Sequence, residues 1–234
     1  MPPKPPLVPA LYRYTAGTSP LEFYIQSIEQ EPLLNLMNTT LACLLGEPTN
    51  GDSGSPPTDH ESAIQQCRLV PSVGSLVACY RGYQDWVRGE VVSVYGGDDI
   101  RVQLLDYGQV IVTNRACLRT LPTFRLVPGK AHLVRLQGVT CPEEHSDRVM
   151  QDFQNILRDE VLRVFPGVQA NGFTHIGVKL SDGKNLAEVL SSRAHVVWTE
   201  HSLDSDAVFS VEDMKFSTGK ISNQHVSFNT LNLL

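Results

Sequence analysis

The chain has 234 residues, 41% of them hydrophobic, and its 19 Lys and Arg stand against 25 Asp and Glu for a formal net charge of −6. This is the balance of a globular chain holding one large domain or two small ones, and the negative charge argues against a general phosphate-binding surface, which needs many Lys and Arg. Five cysteines, Cys43, Cys67, Cys79, Cys117 and Cys141, include no C-x-x-C pair, which argues against a zinc site or a complete disulfide framework.

Residues 1–10 are proline-rich and lack the apolar core of a signal peptide. No stretch approaches the ~20 apolar residues of a membrane span. The expectation is a cytosolic or nuclear protein with reduced thiols. "LYRYTAGTSPLEFYIQSI", Leu11–Ile28, predicts two β-strands around a Gly-Thr-Ser-Pro turn. In "EPLLNLMNTTLACLLGEP" the residues Leu33, Leu34, Met37, Leu41, Leu44 and Leu45 recur at helical spacing, and Gly46 fits a C-terminal stop. The Gly-, Pro- and Ser-rich segment from Glu47 to Ser62 predicts a flexible linker.

From Val73 to Leu121 the pattern predicts four or five short strands, with turns at Asp85 and at Gly96-Gly97-Asp98-Asp99, ending in Asp106-Tyr107-Gly108. That is the spacing of a small barrel. "AHLVRLQGV", Ala131–Val139, predicts another strand. "SDRVMQDFQNILRDEVLRVF", Ser146–Phe165, predicts a helix with the stripe Val149, Met150, Phe153, Ile156, Leu157, Val161, Leu162 and Phe165, stopped by Pro166-Gly167. "FTHIGVKL" predicts a strand, Asp182-Gly183 a turn and "KNLAEVLSSR" a short helix. The tail, residues 201–234, has no clear periodicity and no assigned role. The order predicts an α+β, mostly β chain. Residues 11–46 and 131–198 form one body, and a small barrel over 71–122 is inserted between them behind the linker over 47–62.

Several segments carry a family resemblance: "SPLEFYIQ" before a helix, "VGSLVACYRGYQDWVRGEV", "VQLLDYGQ", "LRTLP" and "GKNLAEVL". Together, over about residues 8–198, they resemble the extended Tudor domain of germline Tudor proteins and of the Tudor–staphylococcal-nuclease protein. The resemblance implies an SH3-like Tudor barrel inserted in a split, catalytically silent, nuclease-like OB-type barrel. A helix joins the two, either the stretch before residue 46 or Ser146–Phe165. It also implies the binding of symmetrically dimethylated arginine in Piwi-type tails by a cage of four aromatic residues and an asparagine at the barrel rim. Aromatic faces attract a poorly hydrated cation of this kind.

Mapped onto this chain, the cage positions are Tyr80, Val87, Leu104, Tyr107 and Gln109. Two walls are aliphatic, and the amide is one methylene longer. Tyr83, Trp86 and Tyr95 are candidate supplementary aromatics. Trp86 reads primarily as barrel packing, Asp106 as a turn-stabilising acceptor and Arg88 as the partner of a local carboxylate. The histidines, among them His132, His175 and His195, lack metal-ligand spacing.

The expectation is a non-enzymatic protein-binding scaffold of the piRNA and germ-granule pathway, active in gametogenesis and RNA-mediated silencing. It docks a partner peptide, from a Piwi-type protein or another pathway component, with an eroded methylarginine cage. It needs no cofactor or metal, has no membrane partner, and resides in cytoplasmic, perinuclear germ granules. Two alternatives are a dimethylarginine reader with a rearranged cage and single-stranded RNA binding by the nuclease-like barrel. The run Arg115, Arg119, Arg125, Lys130 and Arg135 reads by default as a solvated face, with a weak RNA contact as the alternative.

Overall fold

The computed structural model describes residues 4–46, 72–83, 85–95, 99–141, 146–170, 172–193 and 196–198. The linker over 47–62, most of the Gly96–Asp99 turn, His195 and the tail over 201–234 lie outside the described residues.

The amino-terminal hairpin pairs β1 (Ala10–Ser19) with β2 (Glu22–Ser27). Alternation on β2 leaves Glu22 exposed and buries Phe23 and Ile25. Two strands cannot cover such a face alone. Their partners lie more than a hundred residues downstream. β2 pairs with β8 (His132–Leu136), and β1 pairs with β10 (Leu162–Ala170). β11 (Phe173–Lys179) then closes a five-stranded barrel in the order β1-β10-β11-β8-β2. The barrel's core gathers Tyr12, Phe23, Ile25, Val134, Leu136, Leu162, Val164, Ile176 and Val178.

Two helices cover this core. α2 (Ser146–Leu157) inserts Val149, Phe153 and Leu157, and Phe153 meets Phe23 and Tyr14 edge-on at 5.1 and 5.8 Å between ring centres. α3 (Leu186–Ser192) adds Leu186, Ala187 and Leu190, and the Asn185 side chain caps it by accepting from the Ala187 N–H.

The helix expected to reach Phe165 stops at Leu157. Asp159 takes a left-handed φ of 62° and turns the chain, a conformation that Asp tolerates better than most residues. Beyond it Leu162 and Val164 are buried while Arg163 and Phe165 are exposed, a period of two. Pro166 and Gly167 lie inside this strand, where the register slips between Pro166 and Gln169.

Between the two parts of the closed barrel stands a five-stranded antiparallel sheet. Its strands are β3 (Leu76–Tyr80), β4 (Trp86–Val94), β5 (Asp99–Leu104), β6 (Val110–Asn114) and β7 (Leu118–Thr120), in the order β6-β5-β4-β3-β7. This small barrel has its own core of Val77, Cys79, Val87, Val91, Ile100, Val102, Leu104 and Leu118. β9 (Val139–Thr140) and β12 (Val197–Trp198) form a separate short pair.

α1 (Glu31–Leu45) starts with Pro32 in its first turn and stops at Gly46, where φ is 63°. It buries Leu34, Met37, Leu41 and Leu45, whereas Leu33 and Leu44 face solvent. Leu41 and Leu45 pack with Ala78, Trp86 and Leu121 of the small barrel, and the Trp86 indole donates to the Gly46 carbonyl at 2.6 Å. Of the two connector candidates, α1 is therefore the helix that docks on the small barrel. Residues 11–46 divide between the two bodies, with β1 and β2 in the closed barrel and the end of α1 in a core shared with the small one.

A buried ion pair joins β4 to the turn after β5. Arg88 and Asp106 are each 1% exposed. The guanidinium grips the carboxylate through Nε and Nη2, at 2.9 and 2.6 Å. It also donates to the carbonyls of Phe124, Val127 and Pro128. Arg88→Ala leaves a buried, unpaired carboxylate, and an expected cost of about 3–5 kcal/mol is measurable by denaturant unfolding. A loss below about 1 kcal/mol would mean that water enters and solvates Asp106.

His132 adds a pH dependence. Burial, with the positive charges of Lys4 and Lys130, pushes its pKa from 6.5 down to about 4. As pH falls from 6.5 towards 4, the unfolded chain takes the proton before the folded one does, so stability that is full above 6.5 is lost over that window. His132→Phe is expected to flatten this part of the stability–pH curve. Equal slopes for both proteins, from unfolding at several pH values, would rule the effect out.

Candidate functional site

The site is built around the loop after β5. Asp106 is fixed by Arg88, and its Oδ1 accepts the Lys130 N–H at 3.1 Å. The Leu104 carbonyl accepts the N–H groups of Tyr107 and Gly108, at 3.3 and 2.7 Å, which closes a tight turn. Gly108 has a φ of 78°, and a Cβ placed there would lie 2.1 Å from the Tyr24 ring. The loop therefore presses directly on the hairpin of the closed barrel. Further bonds hold it there, from Gln26 Nε2 to the Asp106 carbonyl at 2.6 Å and from Thr15 Oγ1 to the Tyr107 carbonyl at 2.7 Å.

Tyr107 stands half-buried on this loop, against the core of the small barrel. Its hydroxyl accepts from Asn38 Nδ2 of α1 at 3.0 Å. The Arg81 guanidinium lies over its ring, with Cζ 4.6 Å from the ring centre. Gln109 is exposed, and its carbonyl accepts the Leu104 N–H.

The other cage positions are distributed differently. Val87 and Leu104 have no exposed surface and belong to the core of the small barrel. The expectation of a rim position thus applies to Tyr107 and Gln109 and not to these two. Tyr80 packs with the Trp86 cluster, its ring 5.2 Å from that of Trp86. Trp86 itself is fully buried. Tyr95 is exposed past the end of β4, where its hydroxyl accepts from Arg101 at 3.4 Å.

Tyr83 is fully exposed, with a left-handed φ of 50°. With Asp85 it faces Asn35, Asn38, Thr39, Ala42 and Cys43 of α1 across a cleft of about 590 Å³. The cleft abuts the Tyr107 hydroxyl through Asn38. Its lining is the Asp85 carboxylate, two neutral amides, the Thr39 hydroxyl, the Tyr83 phenol and the small Ala42 and Cys43 side chains, a mostly polar set suited to peptide backbone and polar side chains.

Sequence reasoning passed over Arg81 and Asn38. Arg81 lies exposed just past the end of β3, where the strand's periodicity gives no signal for it. The expected basic run does not form a continuous solvated face. Arg119 and Lys130 are buried, Arg125 donates to the Leu121 carbonyl, and Arg135 donates to the Leu21 carbonyl while stacking over Phe173. Among the described residues no three His, Cys, Asp or Glu side chains are grouped to hold a metal ion.

A family model described as Tudor domain matches residues 12–138. Tudor domain-containing protein 1 of Oryzias latipes is 27% identical over 196 residues, and the match covers 76% of this chain but only 15% of that relative. Extended Tudor domain TD3 from mouse TDRD1, solved in complex with a MILI peptide containing dimethylarginine, superposes with a TM-score of 0.67 at 19% identity, covering 84% of this chain and 97% of that one. The extended Tudor domain of Drosophila melanogaster Tudor-SN superposes with a TM-score of 0.68 at 19% identity, covering 82% and 86%. At these identities the likeness shows the fold, which is the extended Tudor arrangement of an SH3-like barrel set into a nuclease-like barrel. The family-model match takes in more than half of the 234 residues, and the chain belongs to the Tudor domain family.

Proposed function

We propose that the chain is a non-catalytic binding module that docks a partner peptide beside Tyr107 and along the α1 cleft, with little dependence on arginine methylation. The observation that carries this reading is the burial of Val87 and Leu104. Two of the four wall positions are aliphatic side chains sealed in the core, so Tyr107 offers its ring without the enclosing walls of a cage. Each cation–π wall is worth about 0.5–2 kcal/mol, so losing two weakens methylarginine binding by roughly one to three orders of magnitude.

The peptide as ligand class is supported by the similarity to TD3 of mouse TDRD1, solved with a MILI peptide. We further propose a role in the piRNA pathway of germ cells, in cytoplasmic perinuclear granules, with a Piwi-type protein or another pathway component as partner. Catalysis has no support in the two acidic groups nearest the site, because Asp106 is engaged by Arg88 and Asp85 by Arg81. Single-stranded RNA is a weaker candidate ligand, since four of the five basic residues invoked for it are buried or bonded to carbonyls. A rearranged methylarginine cage is favoured by one observation, the fully exposed Tyr83 ring at the cleft.

Calorimetric titration with matched Arg-Gly peptides, unmodified and symmetrically dimethylated, tests the reading. The expected preference for the methylated form is below tenfold. A larger preference, abolished by Tyr83→Ala, would establish the rearranged cage instead. The burial of Val87 also predicts that Val87→Tyr fails to rebuild a wall. It overfills a packed core and is expected to cost about 1–3 kcal/mol of stability, which thermal unfolding will show.

A further inference from the structure

The Tyr107 face already has a cation on it. Arg81 stands exposed just past the end of β3, and its guanidinium ends 4.6 Å from the ring centre. The arrangement is held on both sides. Asp85 pairs with Arg81 Nη2 and accepts from its Nε at 2.8 Å. The backbone closes the same loop, with the Arg81 N–H donating to the Asp85 carbonyl and the Asp85 N–H to the Gly82 carbonyl, both at 2.9 Å. Gly82, at a φ of 99°, and Tyr83, at 50°, make the reversal that this closure needs. Across the gap Asn38 holds the Tyr107 hydroxyl, and Thr15 holds the Tyr107 backbone carbonyl. Neither partner swings away without breaking bonds.

We infer that Arg81 is a built-in occupant of the Tyr107 face and a specificity-determining residue that excludes arginine side chains from it. A planar guanidinium stacked on the ring is the same chemistry as an arginine ligand. An incoming methylated or unmodified arginine must displace it, and otherwise meets a like charge at close range. The Asp85 latch orients Arg81 in advance, so ordering it costs the folded protein little. This inference rests on the eroded-cage reading and adds to it, because aliphatic walls account for weak attraction, whereas Arg81 accounts for active exclusion. The substrate class that remains compatible with the cleft is a peptide segment presenting neutral polar side chains and backbone.

The experiment compares the full chain with Arg81→Ala, Arg81→Gln and Arg81→Lys, titrated with the symmetrically dimethylated Arg-Gly peptide. Thermal unfolding of each variant verifies the fold, and the side chain lies in a surface loop. Arg81→Gln keeps much of the bulk and removes the charge. Arg81→Lys keeps the charge and removes the planar stack. The expected result is a gain of about three- to thirty-fold for both Ala and Gln, the range of one freed cation–π contact, and a smaller gain for Lys. Unchanged binding in the Ala and Gln variants overturns the inference and leaves the eroded-cage reading standing. A gain for Ala without one for Gln also overturns it, because space and not charge would then be the barrier. Tight, methyl-dependent binding by the unmodified chain refutes the eroded-cage reading itself.

Discussion

The Arg88–Asp106 pair is the constraint on which the rest of the structure depends. Burying two charges is costly unless every polar atom around them is satisfied. Here the guanidinium's five N–H groups meet five acceptor contacts, two on the carboxylate and three on the carbonyls of Phe124, Val127 and Pro128. A lysine has three donors and no fork, and cannot fill that set. The carboxylate in turn takes the Lys130 N–H, and the Asp106 carbonyl takes the Gln26 amide from β2. One side chain on β4 thus fixes the turn after β5, the segment that leaves the small barrel and, at one remove, the hairpin of the closed barrel.

The site inherits its rigidity from this pair. With Asp106 locked, Tyr107 has little freedom, and Gly108 lies flat against the Tyr24 ring, whose hydroxyl accepts from Gln103 of β5. The contact is close because the residue facing Tyr24 has no side chain. α1 completes the frame, since Leu41 and Leu45 bury one of its faces on the small barrel while Asn38 reaches the Tyr107 hydroxyl. Any segment entering the cleft would meet groups already held in position, which lowers the entropy lost on binding.

Much of this was legible in the sequence, because periodicity and turn chemistry are local. The alternation in β2 and β5, Gly46 as a helix stop, the Asp182-Gly183 turn and the Arg88 and Asp106 roles all follow from residue type and spacing. The helix boundary at Leu157 was not legible. Asp159 and Glu160 carry no strong breaker, and Val161, Leu162 and Phe165 continue a helical stripe, so the alternating burial of Leu162 and Val164 emerges only when β1 pairs with them. The depth of the cage positions was hidden for a different reason. A motif gives the identity of a residue and not its burial, and valine or leucine in place of an aromatic lets the core close over that position. The basic run misled because arginine spacing says nothing about which carbonyls fold back to meet the guanidinium groups.

The fate of the arginines connects these points. A chain with more acids than bases would be expected to leave its cations free to balance its surface. Instead Arg88, Arg125 and Arg135 donate to backbone carbonyls, Arg135 also covers Phe173, and Arg81 covers Tyr107. Arginine serves this use because it combines a flat hydrophobic face with directed donors and is weakly hydrated for a cation. A fold that seats its own guanidinium groups on aromatic faces competes internally with any arginine ligand. Its selectivity is then set as much by what it already holds as by what it presents. In this module that competition centres on the Tyr107 face, where the occupying residue and its carboxylate latch belong to one short turn.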